Sequence, residues 1–294
     1  MNTKRNFLMT LMSLFAMIVI SSCDKNDDDN GDTLTNTISA KWEITDSNSA
    51  YASFEFNKDG NYIVIENETI NKSYVTGKSK SSLFQNGKSL GTGNIATRSA
   101  SAESNLSPIH YGTYKIEENR IILTGFGVID VISITTEEFT FSFILEATGA
   151  KGVYVASKAK EPISASNRTD MFCRTWKAQK LSIDESLVPD VEKTYFINEF
   201  GENWKAGLEK SANEERVGTI VLFSKAGTYL VLYTDGEAGL SEWRWTNKEE
   251  KALYYSWDNW EDDWENNIVQ INKLSDSTLE IQEEFWIYEF VLAK

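Results

Sequence analysis

The sequence predicts an all-β protein: two tandem small antiparallel up-and-down barrels behind a flexible N-terminal tether. Three observations predict it. Short segments alternate apolar and polar residues with a period of two and are separated by turn residues. Apolar residues make up 41% and aromatic residues 12% of the 294, enough for real hydrophobic cores, so general disorder is excluded. The β pattern of residues 38–157 then returns over residues 171–294.

The first 22 residues stand apart from this pattern. Lys4 and Arg5 form a short positive start, and Phe7 to Ile20 is an almost unbroken apolar run. That run is too short for a stable bilayer-spanning helix, and the small residues that close it mark an export signal. Ile20-Ser21-Ser22-Cys23 resembles the lipobox of bacterial lipoproteins, and Asp24-Lys25-Asn26-Asp27-Asp28-Asp29 resembles the export signal of Bacteroidetes surface lipoproteins. The resemblance implies a Cys23 that is acylated, becomes the new N-terminus and holds the protein on the outer membrane, facing outward. Each buried acyl methylene contributes roughly 0.8 kcal/mol, so several chains on one cysteine anchor a protein without a transmembrane helix. Residues 23–37 are polar and acidic with no apolar periodicity and read as the flexible tether.

The elements of the first copy follow in order. Ile38 to Ile44 carries Trp42, and Ala52 to Phe56 alternates. Asn57-Lys58-Asp59-Gly60 is a turn that needs the positive φ of glycine, and Asn61 to Glu66 is a β-branched strand, so the two runs form a hairpin. Residues 77–107 are rich in Ser, Gly, Lys, Asn and Thr and read as a disordered insertion. Strand signals resume at Tyr111 to Ile116 and continue at Arg120 to Thr124, Val128 to Ile134, Glu138 to Leu145 and Gly152 to Ala156. Residues 158–170, with Pro162, form the linker between domains.

The second copy repeats these landmarks 134 to 167 residues later. Trp176 echoes Trp42, Phe223 to Tyr229 echoes Phe56 to Tyr62, Leu274 to Ile281 echoes Ile134 to Phe141, and Tyr288 echoes Tyr154. An insert at 184–216 leaves room for one short helix within Asp190 to Leu208, packed on a barrel end. This order of motifs resembles the small lipocalin-like domains of Bacteroidetes lipoproteins, which implies an antiparallel barrel for each copy and no particular ligand. Closing a sheet also removes aggregation-prone edges, which favours a barrel on physical grounds. An open sandwich is the other architecture the pattern allows.

Charge and motifs restrict function. Removing Lys4 and Arg5 with the signal leaves 27 basic against 44 acidic residues, a net charge of −17, which opposes nucleic-acid binding. With Cys23 lipidated, Cys173 is the one remaining cysteine, so no intramolecular disulfide forms; its setting is that of a buried apolar thiol at the start of a strand. His110 is the single histidine, too little for a zinc site or a triad. There is no G-x-S-x-G, H-E-x-x-H or phosphate-binding glycine loop, so no catalytic residue, metal or cofactor is expected. Eight of nine tryptophans lie in the second copy. Trp243 and Trp245 alternate with Arg244 and share one face, as core or as pocket floor. Trp257, Trp260 and Trp264 sit with acids in a hairpin tip suited to stacking on sugar rings. These five are the candidate ligand contacts for a small molecule or glycan, in a non-enzymatic binding lipoprotein. The alternative is a structural or adhesion lipoprotein that presents loops to a protein partner.

Overall fold

A computed structural model of the chain describes residues 30–67, 109–236, 238–256 and 268–293. Cys23, the 77–107 insertion and Trp257, Trp260 and Trp264 lie outside the described residues. The first copy contributes β1 (Lys41–Ile44), β2 (Tyr51–Phe56), β3 (Asn61–Glu66), β4 (Ile109–Glu117), β5 (Arg120–Leu123), β6 (Gly127–Ile134), β7 (Glu138–Leu145) and β8 (Lys151–Lys158). The second contributes β9 (Thr175–Ile183), β10 (Ile220–Phe223), β11 (Thr228–Leu232), β12 (Ala238–Trp245), β13 (Ala252–Ser256), β14 (Ile268–Leu274), β15 (Thr278–Glu283) and β16 (Trp286–Leu292).

Each set of eight closes into an antiparallel barrel in which every strand pairs with its neighbours in sequence. Barrel 1 is sealed by β1 against β8, with Trp42 opposite Lys158, and barrel 2 by β9 against β16, with Leu181 opposite Tyr288. The open sandwich is thereby ruled out. Gly60, at φ +85°, makes the β2–β3 turn as its position requires, and Gly227, at φ +82°, does the same between β10 and β11.

Both interiors are filled by aromatic rings. Trp42, Phe54, Phe139 and Phe141 in barrel 1, and Trp176, Trp243, Tyr229 and Trp286 in barrel 2, are among the side chains almost wholly removed from water. Glycine makes the room they need. A Cβ on Gly112 would lie 2.8 Å from the ring of Tyr62, its cross-strand partner, so the ring lies flat where a side chain would have stood.

Among the described residues four α-helices accompany the strands, and they depart from the sequence expectations. The last part of the acidic tether is ordered as α1 (Asn30–Ile38), and Ile38 is fully buried in the core of barrel 1. Helix α2 (Asn167–Phe172) fills the same place before barrel 2, so Cys173 caps a helix where a strand start was expected. The indole N–H of Trp42 donates to the carbonyl of Ile38 at 2.9 Å, and that of Trp176 to Phe172 at 3.0 Å. In both copies the strand-one tryptophan thus satisfies a carbonyl that the helix end leaves open. The 184–216 insert holds two α-helices where one helix was expected, α3 (Asp190–Phe200) and α4 (Trp204–Arg216). They cover the end of barrel 2 through Phe196, which meets Trp204 and Phe285. None of the described helices is long and apolar enough to cross a membrane.

Candidate functional site

Trp243 is 1% exposed, and its indole N–H donates to the carbonyl of Ser224 at 2.9 Å. Trp245 is half-buried; its N–H donates to Thr169 Oγ1 at 3.0 Å, and its ring lies 5.0 Å from Phe172 and 5.1 Å from Trp243. The shared face is therefore the inner one, as alternation implies. Both rings lock α2 into the barrel mouth, and both polar edges are already engaged. Cys173 packs against the same core, and burial pushes its thiol well above the ordinary thiol range, which is unsuited to a nucleophile. His110 stacks on Phe126 at 4.2 Å and meets Glu66 Oε1 at 2.8 Å. Among the described residues no group of three or more His, Cys, Asp or Glu could hold a metal ion.

The two barrels are joined through equivalent faces. Ile63 of β3 is wholly buried against Leu222 and Leu230 of β10 and β11, with Ile65, Ile109 and Tyr111 on one side and Leu232, Ala238 and Leu240 on the other. Tyr62 pairs with Gly112 and Tyr229 with Ser241, so Ile63 corresponds to Leu230, Ile65 to Leu232 and Tyr111 to Leu240. The joint is thus a self-complementary contact of the kind two identical subunits make, built here within one chain. Its centre breaks the symmetry: Glu55 stands where the second copy has Leu222. Glu55 is 2% exposed and accepts a 2.7 Å hydrogen bond from Thr228 Oγ1. Burial raises its carboxyl above the usual range, opposed by hydrogen bonds from Ser224 and Thr228 and by Lys41. Asp59 Oδ2 accepts from the Thr175 backbone N–H at 3.1 Å and from its hydroxyl at 2.7 Å, and Asn61 Nδ2 donates to Thr175 Oγ1 at 2.9 Å.

Two adjoining clefts flank this joint. One, of about 630 Å³, runs from Glu55 and Asp59 of barrel 1 to Cys173, Arg174 and Lys225 of barrel 2. The other, of about 550 Å³, lies between Lys41, Glu43 and Lys158 on one side and Gly227, Glu242 and Arg244 on the other, with the linker residues Ala159, Lys160 and Pro162 in its wall. Lys41 and Ala226 line both. The linker is pinned there. Pro162 sits so close to Gly227 that a Cβ would meet it at 3.1 Å, and Ile163 is buried. Farther on, Ser166 Oγ donates to Glu250 Oε2 at 2.5 Å.

Sequence reasoning missed this joint. Its signal is present in the unbroken apolar runs Tyr62-Ile63-Val64-Ile65 and Ile220-Val221-Leu222-Phe223, which mark strands buried on both faces. Compared with known proteins, the chain matches no protein-family model, and no curated protein is significantly similar to it. Fold and joint define a tandem closed-barrel protein whose two copies are packed face to face.

Proposed function

We propose that this protein is a non-enzymatic lipoprotein, held on the outer membrane through acylated Cys23 and displayed outward. Its paired barrels serve as a scaffold that binds a small molecule or glycan at the surface of the second copy. The observation that carries this reading is the packing of both barrel interiors with aromatic side chains, which leaves recognition to surfaces and hairpins. With Trp243 and Trp245 engaged inside, the glycan contacts fall to Trp257, Trp260 and Trp264 in the connection between β13 and β14. Indole faces beside carboxylates and asparagines suit sugar rings and their hydroxyls.

A second reading, presentation of the barrels to a protein partner, is favoured by exposed apolar side chains. Val191 is 77% exposed on α3, and Ile132 and Val153 on barrel 1 are 59% and 65% exposed. One experiment separates the two. Cys23→Ser is expected to release the mature protein into the soluble fraction, and titration of that product with glycans is expected to change its tryptophan emission. Continued flotation with membranes overturns the anchor, and an unchanged spectrum with every glycan leaves the protein-partner reading in its place.

A further inference from the structure

We propose that the cleft between the two barrels binds a small multivalent oxyanion, such as a polycarboxylate or a phosphate ester, with Lys41 as its central contact. The inference is independent of the glycan reading, because it concerns a different surface. The chain as a whole is strongly acidic, with 44 acidic against 29 basic residues. The wall of the 550 Å³ cleft reverses that balance, with Lys41, Lys158, Lys160 and Arg244 against Glu43 and Glu242. Its volume falls within the roughly 300–1,000 Å³ of small-ligand sites. A net-positive recess on an acidic protein concentrates field where an anion gains most from it.

The cations differ in how they are committed. Lys158 is paired with Glu161 at 2.9 Å. Lys41 and Lys160 make no ion pair among the described residues. Lys41 is half-buried at the start of β1 and faces both clefts. Glu55, its cross-strand partner on β2, is engaged by Thr228 inside the joint. Lys41 thus lines the cleft as a cation with no carboxylate paired to it among the described residues, and an ammonium makes its strongest hydrogen bonds to an ionised oxygen.

The cleft exists only in the tandem. Barrel 1 supplies Lys41 and Lys158, the linker supplies Lys160, and barrel 2 supplies Arg244. The hydrogen bonds of Asp59 and Asn61 to Thr175, together with Pro162 against Gly227, fix these contributions in place. Preorganisation of this kind lowers the ordering cost of binding.

The test is calorimetric titration of the mature, full-length chain with citrate, with inorganic phosphate and with glucose as a neutral control. Saturable one-site binding of at least one anion and none of glucose is expected. Citrate alone would assign carboxylates and phosphate alone a phosphoryl group, either outcome upholding the site. Lys41→Met, which keeps the apolar stem, and Lys160→Ala, on the exposed linker, are each expected to weaken binding roughly tenfold, the loss of one charge-assisted hydrogen bond. Lys151→Ala, at the far end of β8, is expected to leave affinity unchanged. No saturable heat with either anion overturns the proposal. So does equal weakening by all three variants, which would mean diffuse attraction, or no weakening by Lys41→Met and Lys160→Ala.

Discussion

Glu283 carries the sharpest difference between the two copies at the level of one side chain. Leu279 and Ile281 correspond to Phe139 and Phe141, so Glu283 stands where barrel 1 has Phe143. It is 2% exposed, and Tyr255 OH donates to its Oε1 at 2.6 Å. Burial holds its carboxyl up at about 8, opposed by the Tyr255 hydrogen bond and by Arg216. The folded state therefore keeps a proton that the unfolded chain releases near 4.5. Stability from this group is complete below about pH 4.5 and is lost as pH rises toward about 8. Glu283→Gln keeps the shape without the charge. In thermal melts it is expected to raise stability by about 1–3 kcal/mol at pH 8 and to change little at pH 4. A variant equally or less stable at pH 8 would place the charge in water and defeat this account.

At the level of elements, each barrel is introduced by a helix that its first strand's tryptophan fastens. Helices α1 and α2 are short, and α2 owes its start to Ser166, whose hydroxyl accepts from Thr169 N–H at 2.9 Å. Its other end relies on Trp176. Trp176→Phe removes the indole donor and part of a ring that is fully buried, and is expected to destabilise the protein by about 2–4 kcal/mol in denaturant unfolding. A loss within about 0.5 kcal/mol would show that the helix end is satisfied by other groups. The strands themselves were legible in the sequence, from Ala52–Phe56 through Glu138–Leu145, because alternation and turn residues act locally. The helices were not: α1 is mostly polar, and it is held by burial of Ile38, a contact made across the chain.

For the whole molecule, the decisive feature is the joint. Ile63, Leu222 and Leu230 lie on the outer faces of their barrels and are nonetheless buried. Each copy thus supplies part of the other's core, and the pair is expected to unfold together in calorimetry. Leu230→Asp puts a charge where Ile63 and Leu222 leave no water, so the barrels are expected to separate. Two resolved thermal transitions and a larger radius of gyration in solution scattering would follow. A single transition at an unchanged radius would mean that the hydrogen bonds of Asp59 and Glu55 hold the joint without its apolar centre.

By itself the sequence determined the all-β class, the duplication and the hairpin turns, because period-two patterning and turn chemistry are properties of adjacent residues; it favoured closed barrels, and the pairing of β1 with β8 and of β9 with β16 excluded the open sandwich. The sequence also marked Trp243 and Trp245 as sharing one face. Only the tertiary structure decided that this face is the mouth of a packed barrel, that Glu55 is sealed between two domains, and that Lys41 fronts a cleft built from both copies. The physical reason is that an outward side chain counts as solvent-facing until a second body covers it, and that body's placement is set by surfaces more than a hundred residues apart.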